Sequence, residues 1–168
     1  MPSGVAKAVG APSGSVYHRF PDRTALLAAL WARALRGFHD DLLPVLSLEE
    51  PQEAIRLGAR TSLEWARRNP REACVLLTGA KELDENKWNE QARVDMARAD
   101  AALYAALTTL IENVDDPAPD AADRVLLAVV DLPHAMVKRY LSAGRQIPDH
   151  AADLAERAAA ALFDMRQS

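Results

Sequence analysis

Gly10-Ala11-Pro12-Ser13-Gly14-Ser15-Val16-Tyr17-His18-Arg19-Phe20-Pro21-Asp22-Arg23 is the stretch that decides how the chain is read. Gly10 is placed to end a short helix over residues 2–9, on which Val5 and Val9 stand four apart and share a face. Pro12 reinforces the stop, because proline disfavours helix at the residue before it. Ser13 is a good N-cap for a second short helix. On that helix Val16 and Phe20 turn inward, and Ser13, Gly14, Tyr17 and His18 fall on other faces. Pro21 and Asp22 break the chain again, with Asp22 placed to cap a third helix. Two short helices joined by a tight glycine-containing turn form the pattern of a helix-turn-helix.

Everything downstream reads as helix. Leu27, Trp31, Leu35, Phe38 and Leu42, widened by Leu26 and Leu30, predict a long amphipathic helix from Arg23 to Leu43 that Pro44 ends. Glu49-Glu50-Pro51 opens the next helix, with Leu57, Thr61 and Trp65 inward and a stop at Asn69-Pro70. Residues 71–78 lack a polar face in their middle and predict a buried central helix that Gly79 ends. Over 81–114, Trp88, Ala92, Met96, Ala99, Leu103, Leu107, Leu110 and Val114 predict the strongest helix of the chain, followed by a loop over 115–119. Two more helices span 120–143 and 149–165.

The penultimate helix is apolar nearly all round from Val125 to Val137, with Pro133 predicted to kink or break it. A helix apolar on both sides needs two partners. One is its own body. The other is either a second subunit, packed on the last two helices through Leu154, Ala158, Ala161 and Met165, or the rest of one bundle. The fold class is all-α, with a partial helix-turn-helix over 1–36 and a helical body over 37–168.

Composition agrees. The 168 residues are 49% apolar and 26% charged, rich in alanine and leucine, which suits a helical globular chain. The single cysteine, Cys74, rules out an internal disulfide. No stretch approaches the roughly 18 apolar residues of a membrane span, and the N-terminus lacks a basic-then-apolar signal pattern. A cytoplasmic protein without membrane contact is expected. The net charge of −4 is unevenly placed: Lys7, Arg19, Arg23, Arg33 and Arg36 face only Asp22 among the first 39 residues, beside an acidic remainder. That is the asymmetry of a basic nucleic-acid-binding head on a different body, or a fluctuation of a charged surface.

Val5-Ala6-Lys7-Ala8-Val9-Gly10, with Ser13-Gly14-Ser15-Val16-Tyr17-His18-Arg19-Phe20-Pro21-Asp22-Arg23-Thr24-Ala25-Leu26-Leu27, resembles the DNA-binding motif of TetR-family transcriptional regulators. The resemblance implies a homodimeric, ligand-responsive regulator, most often a repressor, that binds an operator through the helix-turn-helix. It implies that Ser13, Gly14, Ser15, Tyr17 and His18 face the major groove and its phosphates, that Arg23 anchors a phosphate at the start of the long helix, and that Lys7 adds another phosphate contact. The family carries a further helix ahead of the point where this sequence starts, so the motif is expected to lack its first helix. A second reading comes with that: a TetR-like dimeric small-molecule-binding protein with impaired or lost DNA binding.

The resemblance also implies a pocket for an unknown small-molecule effector in the body. Trp31, Phe38, Thr61, Trp65, Trp88, Met96 and His134 are its candidate lining, with Cys74 and His39 as further candidates; the alternative for the aromatics and Met is ordinary core, and for His134 a structural group. No catalytic residues, metal or cofactor are expected. Glu82, Asp84 and Glu85 form an acidic cluster without histidine, and no phosphate loop, nucleophile elbow or Cys–His pair appears. Cys74 lies in an apolar run and is expected to be inert, and Arg67, Arg68 and Arg71 read as a solvated corner.

Overall fold

Asp22 begins the first helix as a cap. Its Oδ1 accepts the Ala25 amide at 2.7 Å and its carbonyl accepts that of Leu26 at 3.2 Å. The computed structural model describes residues 22–164, which form helices joined by short turns, with no strand among them. Helix α1 is Arg23–Leu46, α2 Pro51–Arg68 and α3 Pro70–Thr78. Two 3-10 turns, Lys81–Leu83 and Glu85–Lys87, lead to α4, Glu90–Val114. Then come α5, Ala121–Leu126, a π-helical segment, Leu127–Asp131, α6, Leu132–Leu141, and α7, His150–Asp164.

Several helix boundaries differ from expectation. Pro44 does not end α1: it lies inside the helix, which runs on to Leu46. A proline removes one hydrogen bond, and within the last turn that loss is small enough for Leu42 and Leu46, both buried, to hold the backbone helical. The helix predicted from residue 81 starts instead at Glu90, because Asp84 takes a left-handed conformation (φ 60°, ψ 40°) between the two 3-10 turns. Residues 71–78 are helical and Gly79 ends them at φ 87°, but only Ala73 is buried and Cys74 is exposed.

Pro133 is fully buried and does not break its helix. The Leu132 amide donates to the Leu127 carbonyl, five residues back, so the chain widens by one residue just before the proline. Pro133 then follows this widened turn within a continuous run of helical backbone, where the π turn accommodates its ring.

The chain divides into two compact units, one formed by Met1–Arg36 with Arg71–Asp100 and the other by Gly37–Pro70 with Ala101–Ser168. In the first, Ala28, Ala80 and Trp88 are buried together, with Trp31, Leu83, Ala92 and Met96 packed against them. In the second, α2 packs along α7 and against the α5–π–α6 run.

The buried stripe of α2 is Ala54, Ile55, Gly58, Ala59, Ser62, Leu63, Trp65 and Ala66, so Leu57 and Thr61 sit at its edge and not at its centre. Small residues let the helices close up. A Cβ on Gly58 would stand 3.0 Å from Leu46 Cδ2 and 3.5 Å from Val129 Cγ1. On α7 the buried residues are Ala151, Ala152, Ala155 and Ala159, so an alanine face packs on its own body; of the stripe expected to meet a second subunit, Leu154 and Ala161 are exposed, Ala158 is half-buried and Met165 lies outside the described residues. Ile55 and Leu63, fully buried on α2, each stabilise the core by about 1.5–3 kcal/mol.

Charged side chains set the register of α2 on α7. Arg60 donates to Asp153 at 2.6 Å, to Glu156 at 2.7 Å and to Glu64 at 2.8 Å, and Arg56 also donates to Glu156. The bond from Asp153 raises the Arg60 pKa further above its ordinary range. Burial opposes this and the nearby Glu64 charge adds to it.

Candidate functional site

Lys7, Ser13, Gly14, Ser15, Tyr17 and His18 lie outside the described residues. Arg23 is described. It opens α1 with its side chain 61% exposed, and it pairs with Asp84, 3.9 Å away. The first turn of α1 is already partly engaged, since Asp22 takes the Ala25 amide. Arg23 therefore offers its guanidinium to an anion more freely than its helix offers backbone amides.

Asp84 belongs to a turn that is held from two sides. The Trp88 indole Nε1 donates to the Leu83 carbonyl at 2.9 Å, clamping the turn on itself. The Trp88 ring packs against Trp31, about two helical turns after Arg23 on α1, with centroids 6.4 Å apart and planes tilted by 50°. Trp31 Nε1 is buried without a hydrogen-bond partner among the described residues. Such a donor costs about 1–3 kcal/mol.

The expected pocket residues are divided between the two units. Trp31, Trp88 and Met96 meet in the first unit. In the second unit Phe38 packs on Trp65, with centroids 5.1 Å apart, and Gly37 passes within 3.7 Å of the Trp65 indole nitrogen, measured from where its Cβ would lie. His39 is buried beside Phe38. Thr61 is half-buried on α2, and His134 is exposed on α6. Two surface clefts of the second unit, of about 430 Å³ beside Glu50, Arg56 and Phe163 and about 370 Å³ beside Arg67, Arg68 and Asp149, involve none of these residues.

Sequence reasoning missed Asp84 as a partner of Arg23 and the Leu83 carbonyl as the anchor of Trp88. The usable signal was the acidic Glu82–Glu85 run ahead of a tryptophan, but its left-handed turn depends on tertiary packing. Among the described residues no group of three or more His, Cys, Asp and Glu is placed to hold a metal ion, and no helix is long and apolar enough to cross a membrane.

The chain has a structural counterpart. A TetR family transcriptional regulator, PfmR, from Thermus thermophilus superposes with a TM-score of 0.67, over 95% of this chain and 85% of that one, at 19% identity. The fold is the TetR fold. No protein-family model and no curated protein matches the sequence. Within that fold, α1 is the helix that leaves the segment carrying the DNA-binding resemblance, and Arg23 is its first residue. The α5–π–α6 run and α7 are the last two helical passes, and they pack on one another.

Proposed function

We propose that the protein is a ligand-responsive transcriptional regulator, a repressor acting as a cytoplasmic homodimer without catalysis. The TetR fold over nearly the whole chain carries the reading, together with the Ser13–Phe20 motif immediately ahead of a capped α1. Residues 1–36 hold the DNA-binding segment, where Ser13, Gly14, Ser15, Tyr17 and His18 meet the groove and Lys7 and Arg23 meet phosphates. Residues 37–168 carry dimerisation and the effector site.

The dimer forms through the last two helices. Leu127, Val130 and Leu154 support this: they are 43%, 38% and 41% exposed, on elements that pack side by side. An effector bound among the aromatic side chains shifts the population of α1 tilts. Two recognition helices must match half-sites about one DNA turn apart, so a small change in their separation abolishes binding. Effector lowers DNA affinity while the dimer stays intact.

The test is enrichment of random duplexes on the purified chain, followed by titration of the enriched sequence. Enrichment of a palindromic site with two half-sites is expected. Failure to enrich any sequence, with the chain folded and dimeric, overturns the reading.

A further inference from the structure

We infer that Asp84 is an intramolecular competitor for the DNA phosphate at Arg23, and that it lowers the affinity of the protein for DNA. The inference rests on the proposed contact of Arg23 with phosphate.

Three observations carry it. First, the Arg23 guanidinium stands 3.9 Å from Asp84 Oδ2, and both groups reach solvent, at 61% and 35% exposure. A phosphate arriving at Arg23 meets a cation that already has an anionic neighbour. Second, Asp84 does not depend on Arg23. Its Oδ1 accepts from Lys87 Nζ at 3.1 Å, so the carboxylate keeps a cation when Arg23 leaves. Release of Arg23 therefore strands no charge. Third, the carboxylate is held in place. Asp84 sits at φ 60° between two 3-10 turns, and the Trp88 bond to Leu83 and the Trp31–Trp88 packing fasten that turn to the helix Arg23 begins. Arg23 and Asp84 are thus fixed near each other by a hydrophobic contact that neither charge makes.

An exposed ion pair of this length is weak, and that suits a competitor. It lowers affinity by a small factor and yields to a phosphate, which an intimate buried pair would not do.

The test uses the full chain and a fluorescent random-sequence duplex at low salt, which needs no knowledge of the operator. Asp84→Asn keeps the left-handed turn, because asparagine tolerates that conformation at least as well as aspartate. It is expected to tighten binding about two- to fivefold, the range an exposed ion pair commands, with the gain shrinking as salt is raised. In an Arg23→Ala background the gain is expected to vanish, and Arg23→Ala alone should reduce the salt slope by about 0.9, one phosphate contact. Glu82→Gln, which removes an exposed charge two residues away, controls for general repulsion and should give a smaller gain.

Equal binding by the wild type and Asp84→Asn overturns the inference and leaves DNA binding standing. A gain that persists without Arg23 or is matched by Glu82→Gln also overturns it. Binding by neither protein overturns the DNA-binding reading and the inference together.

Discussion

Arg124 on α5 donates to Asp116 Oδ2 at 2.5 Å, with the two side chains only 12% and 9% exposed. Arg124 also donates to the Leu162 carbonyl at 3.2 Å and lies over the Phe163 ring, 5.1 Å from its centroid. Asp116 meanwhile caps the Ala118 amide at 3.0 Å. One guanidinium thereby ties the loop before α5 to the end of α7. Arg124→Ala removes the bonds to Asp116 and to the Leu162 carbonyl and is expected to destabilise the fold by about 1.5–3 kcal/mol. Urea denaturation followed by circular dichroism checks this, and a loss below about 1 kcal/mol, the level of an exposed pair, would show that the pair is not buried in solution.

Trp31 and Trp88 touch, yet the same substitution should act differently on them. Trp88→Phe breaks the bond to the Leu83 carbonyl as well as shrinking the core, and should cost about 2–4 kcal/mol. Trp31→Phe removes a buried donor that has no partner among the described residues, so the loss of packing is offset by about 1–3 kcal/mol of relieved desolvation. Thermal melts of the two variants should therefore separate clearly, with Trp31→Phe close to wild type. Equal losses would mean that the Trp31 nitrogen is hydrogen-bonded in solution.

Glu156 accepts from both Arg56 and Arg60 and is only 16% exposed, whereas the arginines are 39% and 34% exposed. Discounted for that exposure, Glu156→Ala should cost about 1 kcal/mol, and less in high salt. The pH dependence has a definite sign. The raised pKa of Arg60 means its contribution is complete below its ordinary pKa and is lost only as pH rises through the higher folded value. Across roughly pH 6 to 9 Arg60 therefore adds no slope to stability. Melts of Arg60→Met and wild type over that range should run parallel. A difference that grows from neutral pH upward would contradict the assignment.

Leu127 and Val130 are exposed on the π-helical segment, where the chain is apolar with no partner of its own among the described residues on that side. Leu127→Asp with Val130→Asp should convert the proposed dimer to a folded monomer, read by light scattering after gel filtration with circular dichroism as the control for folding. A variant that remains dimeric places the interface elsewhere.

Local sequence dictates the helical class, the capping of α1 by Asp22, the Pro51 start and Asn69 end of α2, and the Gly79 stop, because each depends on neighbouring residues and local hydrogen bonds. It also places the apolar stripe of α4 on Met96, Ala99, Leu103, Leu107 and Leu110, which the structure keeps as the less exposed side of that helix. Long-range packing settles the features that local rules leave open. Pro133 reads as a breaker until the π turn before it is seen, and that turn is stabilised by seating Val129 over Gly58, on another helix. The α7 stripes at Ala151–Ala159 and Leu154–Ala161 are equally apolar, so which of them packs inward depends on where Arg56 and Arg60 meet Asp153 and Glu156. The nearness of Asp84 to Arg23 spans about 60 residues of sequence. No periodicity encodes it, and it arises because Trp31 and Trp88 bury their rings against each other and bring the two charges with them.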